Sequence, residues 1–401
     1  MPSIKDLPSN VKQYILVTAN YWAFTLTDGA LRMLVVLHFH QLGYSPFAIA
    51  MLFIFYEFFG VVTNLLGGWL GSLTGLNRTM NIGLAIQVFA LLMLVAPDEY
   101  LTVVWVMIAQ ALSGIAKDLN KMSAKSAIKF LVSGDQAGTK LYRWVALLTG
   151  SKNTMKGVGF FLGAILLQVF GFQNAALFMA VVLSFILLIS LIKLEPGMGK
   201  ANTKPKFSQL LSKSSPINFL SSARFFLFGA RDIWFVVALP VYLSSQLGWT
   251  FWQVGIFMAL WVIGYGIIQA NAPKVTGQLN PEKNIKLWST ILTLVTLAIV
   301  ILFGFTSLSP TLVLIIGLII FGAAFAINSS LHSFLIVHYS SHDSVSIDVG
   351  FYYMANAAGR LVGTILSGWV YQQAGLLSCL VVSGVFIAVA SGLSFFLNNK
   401  D

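Results

Sequence analysis

Charged side chains recur inside stretches that are otherwise as apolar as a lipid tail, and their types decide what chemistry they can do. Asp28 and Arg32 stand four apart in "FTLTDGALRMLVVLHFHQLG", Glu57 lies in "FIFYEFFGVV", and Lys117, Asp118 and Lys121 crowd "GIAKDLNKM". Lys152 and Lys156 follow, then Arg224, Arg231 and Asp232, and finally Asp348 and Arg360. Each costs ~2.5 to 3.5 kcal/mol to insert at mid-membrane, so a pathway or a partner has to justify it. Bases outnumber acids eight to five. Lys117 and Lys121 are spaced by four, as are Lys152 and Lys156, while Arg224 and Arg231 are spaced by seven. Each pair therefore shares a helix face and repels itself unless something negative lies between. The chemistry this implies is recognition of an anion of more than one charge. Arginine's planar fork suits phosphate-like and carboxylate groups, and lysine adds point charge.

The candidate substrate-binding residues are thus Arg32, Lys117, Lys121, Lys152, Lys156, Arg224, Arg231 and Arg360. Asp28, Glu57, Asp118 and Asp232 are candidates for gating or proton coupling. A structural reading stands beside this one: Asp28 with Arg32, and Arg231 with Asp232, read equally as ion pairs that hold helices together, and Lys121 is near enough to a span end to snorkel. Asp28 is expected to steady Arg32 when no ligand is bound. No Walker-type phosphate loop occurs, the nearest string being "GSKN" at Gly150, so ATP is not the expected energy source. No metal-ligand constellation or nucleophile elbow appears, and the single cysteine, Cys379, excludes an intrachain disulfide. No catalytic residue, metal or cofactor is expected.

The elements that must position these residues follow from composition. Of 401 residues, 57% are hydrophobic and 9% charged, a balance no water-exposed surface sustains. Hydrophobic runs long enough to cross a ~30 Å core recur from end to end. Twelve spans are expected, near 13–38, 46–71, 79–96, 101–124, 141–169, 174–193, 216–243, 250–271, 286–306, 310–337, 346–372 and 376–397. The start "MPSIKDLPSNVKQY" lacks the pattern of a cleavable signal, so the first run reads as a spanning helix. The net charge of +11 is distributed unevenly: Lys5, Lys12, Arg78, Lys125, Lys129, Lys140, Arg143, Lys274, Lys283 and Lys286 fall at the N-terminus and in even-numbered loops. The odd-numbered loops carry no Lys or Arg, only Asp98 and Glu99. By the positive-inside rule both termini are cytoplasmic. Much of the basic excess is therefore a topology signal, and no soluble basic domain exists to bind nucleic acid.

One connection is long. "KLEPGMGKANTKPKFSQLLSKSSP" is basic and polar, contains Pro and Gly, and reads as an inter-domain linker over 194–215 between halves 1–193 and 216–401. The halves echo each other: "QLGYSPFAIAMLF" from Gln41 matches "QLGWTFWQVGIFM" from Gln246, and "GIAKDLN" lies over "GAAFAIN" from Gly322. Lys156 falls on Arg360, Gly159 on Gly363 and Gly171 on Gly375. Offsets of 204 to 208 residues support a parallel duplication, the arrangement of the major facilitator superfamily. The fold expected is an all-α integral-membrane one of twelve helices in two six-helix halves. In "GGWLGSLTGLNR", between the second and third spans, Ser72 stands where that superfamily usually has an acid, so the cytoplasmic latch attributed to that acid lacks it here.

The strings "NYWAFTLTDGALRMLVVLHFH", "FYEFFGVVTNLLGGWLG", "LNRTMNIGL", "ALSGIAKDLNKMSAKSAIK" and "LTGSKNTMKGVGFFLG" resemble the ArsJ-type organoarsenical efflux permeases of that superfamily. The resemblance implies a permease of the bacterial cytoplasmic (inner) membrane that exports 1-arseno-3-phosphoglycerate and so confers arsenate resistance. It also implies a functional link to glyceraldehyde-3-phosphate dehydrogenase, which makes that ester from arsenate. The expected partners are the small anionic substrate and the lipid bilayer, with the chain acting as a monomer. An organophosphate or organic-anion antiporter of the same superfamily is the alternative.

Overall fold

The computed structural model describes residues 9–44, 49, 51–130, 137–195, 197–200, 214–277 and 280–397. Residues 1–8, 45–48, 50, 131–136, 196, 201–213, 278–279 and 398–401 lie outside that set, and with them most of the basic linker and part of the repeat string from Gln41. The described residues form helices and turns. We number them α1 (Ser9–Gln41), α2 (Ile54–Thr74), α3 (Leu76–Met93) and α4 (Val103–Ala127). The run Ala137–Lys193 turns at Gly171 into α5 (137–170) and α6 (172–193). Then come α7 (Ser215–Ser245, interrupted at Val236 and Val237), α8 (Phe251–Thr276), α9 (Pro281–Phe305) and α10 (Pro310–Tyr339). The run Val345–Ser394 turns at Gly375 into α11 (345–374) and α12 (376–394). Among the described residues this makes twelve helical spans, the number the hydrophobic runs predict.

Local chemistry sets the starts and stops. The Thr102 hydroxyl accepts from the Trp105 amide at the head of α4, and a reciprocal Thr250–Gln253 capping box opens α8. Gly171 (φ 74°) and Gly375 (φ 73°) sit where only a residue without Cβ turns freely, and they are 204 positions apart. The break between each half's fifth and sixth helices is therefore the same break made twice.

Seven stretches of the described helices are long and apolar enough to cross a membrane, together covering α3 and α5 to α12. The three that fall short, α1, α2 and α4, carry Asp28, Arg32, Glu57, Lys117, Asp118 and Lys121, so charge lowers their apolarity. Large apolar side chains such as Phe185, Ile192, Leu191 and Ile301 stand exposed on the helices, as a lipid-facing surface requires.

By compactness the chain forms two units. One gathers Met1–Leu141, Ser151–Ser212 and Ser340–Met354; the other gathers Tyr142–Gly150, Lys213–Tyr339 and Ala355–Asp401. In unit 1, α4 packs on α2, α3 and α1; in unit 2, α10 packs on α9, α8 and α7. Small residues let backbones approach. A Cβ at Gly159 of α5 would lie 2.5 Å from the Leu26 carbonyl of α1, and one at Gly363 of α11 would lie 2.5 Å from the Gly229 carbonyl of α7. Within unit 1, the first turns of α11 dock on α2: the Ser346 hydroxyl donates to the Gly68 carbonyl at 2.7 Å. Ser72 spends its own hydroxyl on the Trp69 carbonyl at 2.6 Å, and the α2–α3 turn is tied instead to the segment after α6, where Leu76 N–H meets the Met198 carbonyl at 2.7 Å.

Candidate functional site

Each unit holds one cluster of charged side chains inside its helices. In unit 1 the α1 residue Asp28 is 4% exposed; it accepts from the Tyr56 hydroxyl of α2 at 2.7 Å and pairs with the Lys156 ammonium of α5 at 3.7 Å. Arg32, one turn further along α1, reaches Glu57 of α2 at 3.3 Å. The expected pairing of Asp28 with Arg32 is therefore corrected. The spacing of four puts both on one face, but the Arg32 guanidinium is drawn across to α2, where it lies 4.9 Å from the Phe53 ring centre and 4.8 Å from that of Tyr56.

On α4 a single carboxylate, Asp118, serves two ammonium groups: Lys117 at 3.6 Å and Lys121 in a short bond. That arrangement relieves the repulsion the spacing of Lys117 and Lys121 implies. Two tyrosine rings hold the rest. Lys117 lies 3.8 Å from the centre of the Tyr56 ring, the ring that also faces Arg32. Lys121 and Lys125 lie 4.6 Å and 4.9 Å from the centre of the Tyr353 ring of α11. A ring face is worth ~0.5 to 2 kcal/mol to a cation, so it steadies an ammonium without neutralising it. Lys152 hydrogen-bonds Asn153 Oδ1 at 3.3 Å and makes no ion pair among the described residues.

Unit 2 builds a smaller cluster around Asp232 of α7, which is fully buried. Its carboxylate takes the Arg231 Nε at 2.6 Å and the Arg360 Nε of α11 at 3.0 Å. Arg224 is 3% exposed, and donates to Asn356 Oδ1 at 2.9 Å and to the Ser329 hydroxyl at 3.1 Å. Its guanidinium lies 3.8 Å from the Phe228 ring centre, with Arg231 at 4.8 Å from the same ring. His332 of α10 is also fully buried here.

Twelve of the thirteen charged residues singled out by type and spacing thus fall into one or other cluster, Asp348 being the exception. In unit 1 the bases Arg32, Lys117, Lys121, Lys125, Lys152 and Lys156 are gathered with the acids Asp28, Glu57 and Asp118, six to three among the described residues. In unit 2 Arg231 and Arg360 bond Asp232, and Arg224 lies over the same Phe228 ring as Arg231, three bases to one acid among the described residues. Asp348 stands apart, accepting from Ser344 at 2.5 Å in the first turn of α11. Sequence reasoning missed three members. Lys125 had been assigned to a cytoplasmic loop, yet it ends α4 with 4% exposure. Tyr56 and Tyr353 look like any membrane aromatic until the cations over them are seen.

A duplication also pairs the clusters. Asp28 and Asp232 are 204 positions apart, as are Lys156 and Arg360. The bond from the base on a half's fifth helix to the acid on its first is therefore made in both repeats.

Two six-helix repeats, each with buried cations around an acid on its first helix, define the class of membrane transporters rather than enzymes. The chain belongs to the Major Facilitator Superfamily, whose family model matches residues 14–339 and 220–401. No curated protein matches it. Among solved structures, the human organic anion transporter MFSD10 (TETRAN) is similar with a TM-score of 0.77 at 16% identity, covering 97% of this chain and 100% of its own. The major facilitator transporter FucP in its outward conformation matches with a TM-score of 0.75 at 14% identity over 98% of this chain and 100% of its own. A bacterial homologue of the iron transporter ferroportin, in an outward-facing state, gives 0.74 at 14% identity over 95% and 98%. Identities this low carry the fold and not the cargo. The protein is a multi-pass membrane protein that moves a small molecule across a lipid bilayer.

Proposed function

We propose that the protein exports a polyanionic organoarsenical, 1-arseno-3-phosphoglycerate, by alternating access, and so confers arsenate resistance. The observation that carries the reading is the excess of basic over acidic side chains buried in both clusters, six to three in unit 1 and three to one in unit 2 among the described residues. Buried like charges are costly unless an opposite charge joins them; two unit charges 4 Å apart interact by ~4 kcal/mol at an effective dielectric constant near 20. A guest with an arsenate at one end and a phosphate at the other supplies several such charges. The resemblance of the N-terminal strings to the ArsJ-type permeases points to the same cargo. MFSD10 shows that an organic-anion transporter is built on this architecture.

On this reading halves 1–193 and 216–401, joined through 194–215, alternate in opening to the two sides of a bacterial cytoplasmic membrane, with both termini inside. The protein works as a monomer, fed by glyceraldehyde-3-phosphate dehydrogenase acting on arsenate. Outward movement needs no further energy source: with the interior negative, each negative charge that leaves gains ~2.3 kcal/mol per 100 mV. Arg32, Lys117, Lys121, Lys152, Lys156, Arg224, Arg231 and Arg360 bind the anion, and Asp28, Glu57, Asp118 and Asp232 hold their places between turnovers.

The test is uptake into inverted vesicles of the ester generated enzymatically in the assay, with the voltage set by potassium and ionophore. Accumulation that rises with an outward-driving potential, and exceeds that of plain 3-phosphoglycerate, is the expected result. Equal handling of both esters, or exchange against internal phosphate, makes it an organophosphate antiporter instead. Binding without accumulation removes transport of this cargo.

A further inference from the structure

Three polar groups deep in unit 2 have no hydrogen-bond partner among the described residues: the Ser221 hydroxyl of α7, and the His332 Nδ1 and Ser333 hydroxyl of α10. Ser221 is 2% exposed, His332 and Ser333 1% each. A buried polar atom left unbonded forfeits its hydration for nothing. A helical serine has a ready remedy in the carbonyl four residues back. Ser184 and Ser394 take it, bonding the carbonyls of Ala180 and Ala390. Ser221 and Ser333 do not.

Two contacts place these groups together. The Phe228 and Phe325 rings meet with centres 5.1 Å apart, and the Arg224 guanidinium meets the Ser329 hydroxyl at 3.1 Å. Four residues back along α7 thus correspond to four residues on along α10, so the two helices pack antiparallel. One more step of three residues on each brings Ser221 level with His332. Ser221, Arg224 and Phe228 share a face of α7 by their spacing, as Phe325, Ser329 and His332 share a face of α10. Ser221 and His332 therefore lie about 4.5 Å along the axes from the level of the guanidinium, three residues at 1.5 Å each. Arg224 is fixed from two other helices: Asn356 of α11 accepts from its Nε at 2.9 Å, and Ser329 of α10 accepts from it and from Gln269 of α8 at 3.0 Å.

We infer that Ser221, His332 and Ser333, beside Arg224, form a subsite in unit 2 for a tetrahedral oxyanion, the phosphate or arsenate terminus of the transported molecule. The inference rests on the anion-transport reading above and adds three neutral groups that the reading does not name. Each can donate: the hydroxyls through O–H, the imidazole through Nδ1 in one of its two neutral tautomers. The guanidinium supplies charge and a fork for two oxygens. A tetrahedral group has a further oxygen outside the plane of that fork, and the neutral donors of α7 and α10 meet it. A planar carboxylate has no oxygen there, so it is served by the fork alone. All the residues of the subsite belong to one compact unit.

The experiment measures binding of inorganic phosphate and of acetate to the purified full-length protein in lipid nanodiscs, for wild type, Ser221→Ala, His332→Phe and His332→Asn. Ser221→Ala is expected to weaken phosphate about tenfold, the value of one hydrogen bond to a charged group. His332→Phe keeps a ring and is expected to weaken it by a similar factor, while His332→Asn, whose amide nitrogen stands near the place of Nδ1, recovers part of the loss. Acetate affinity is expected to change less than about twofold in each. Ligand-free Ser221→Ala is expected to unfold at or above the wild-type temperature, since it removes an unbonded atom. A clear fall in that temperature makes the hydroxyl structural and overturns the subsite. So does phosphate affinity unchanged in the folded variants, the result if the three groups hold only water, and so does a parallel loss of phosphate and acetate. If His332→Phe fails to fold, Ser221→Ala decides. Phosphate binding weakened in Ser221→Ala with no uptake of the arsenate ester by wild-type vesicles keeps the subsite and removes the cargo. Uptake of the ester by Ser221→Ala at wild-type affinity keeps the cargo and removes the subsite.

Discussion

The two charged clusters began as one device and now differ in what surrounds it. Both repeats retain an acid on the first helix bonded to a base on the fifth, Asp28 to Lys156 and Asp232 to Arg360. Unit 1 then adds Lys117, Asp118, Lys121 and Lys125 on α4, whereas the matching stretch of α10 offers Phe325, Ser329 and Ser333. Unit 2 adds arginines on α7 itself, and Arg224 relies on Asn356 and Ser329. Five lysines and Arg32 therefore gather in unit 1, and three arginines in unit 2. Shared parts set the frame in which the helices pack; the unshared parts set what each unit recognises.

The largest effect that separates the two is expected at the shared acids. Asp232 is fully buried and bonds two guanidinium groups, so Asp232→Ala removes both of those pairs and is expected to cost about 3 to 5 kcal/mol. Asp28→Ala removes one ion pair at 3.7 Å and one phenol hydrogen bond, and is expected to cost about half as much. Thermal unfolding of the two variants in the same detergent measures the difference; equal losses would mean that the acids do the same work. Next come the shared glycines. Gly159→Val and Gly363→Val each drive a side chain into a carbonyl 2.5 Å from the new Cβ, and each is expected to cost about 1 to 3 kcal/mol. A large disparity between these two would break the claim that the helix contacts are repeats of each other.

Much of this was visible in the residues alone, for physical reasons that also set the limit. Hydrophobic runs and the one-sided placement of Lys and Arg reveal spans, because a bilayer tolerates little else. A charge inside such a run stands out for the same reason, so Arg32, Lys156, Arg231 and Arg360 were found from type and position. Partners were not legible. Whether Asp28 meets Arg32, Lys156 or Tyr56 depends on how α1, α2 and α5 are rotated about their axes, which spacing along one helix does not encode. Lys125 was hidden by standing at the end of its span, where a lysine ordinarily reaches water. The rings of Tyr56 and Tyr353 were hidden by their own commonness.

A smaller effect sharpens the contrast between lysine and arginine at the shared base. Arg360 uses a directed Nε bond of 3.0 Å to Asp232, while Lys156 makes a looser contact of 3.7 Å with Asp28. Arg360→Lys loses the fork and is expected to lower the apparent affinity for the transported anion by about 5- to 30-fold, equivalent to about 1 to 2 kcal/mol. Lys156→Arg keeps the charge and is expected to stay within about threefold. Concentration-dependent vesicle uptake reads both, and the reverse ranking would place the guanidinium preference in unit 1.

The smallest effect is expected from making one unit resemble the other. In unit 2 the ring shared by two cations is Phe228, which has no hydroxyl; in unit 1 it is Tyr56, whose hydroxyl donates to Asp28 at 2.7 Å. Tyr56→Phe removes that bond and leaves the ring beneath Lys117 and Arg32, so a loss of about 1 kcal/mol in unfolding free energy is expected. Tyr56→Leu removes the ring as well and is expected to lose about 0.5 to 2 kcal/mol more for each cation set free. If the two variants unfold alike, the ring carries no charge and the hydroxyl is its whole contribution. If Tyr56→Leu alone is impaired, the ring rather than its hydroxyl steadies Lys117 and Arg32 alongside their carboxylates Asp118 and Glu57, as Phe228 lies beside Arg231 and Arg224 in unit 2.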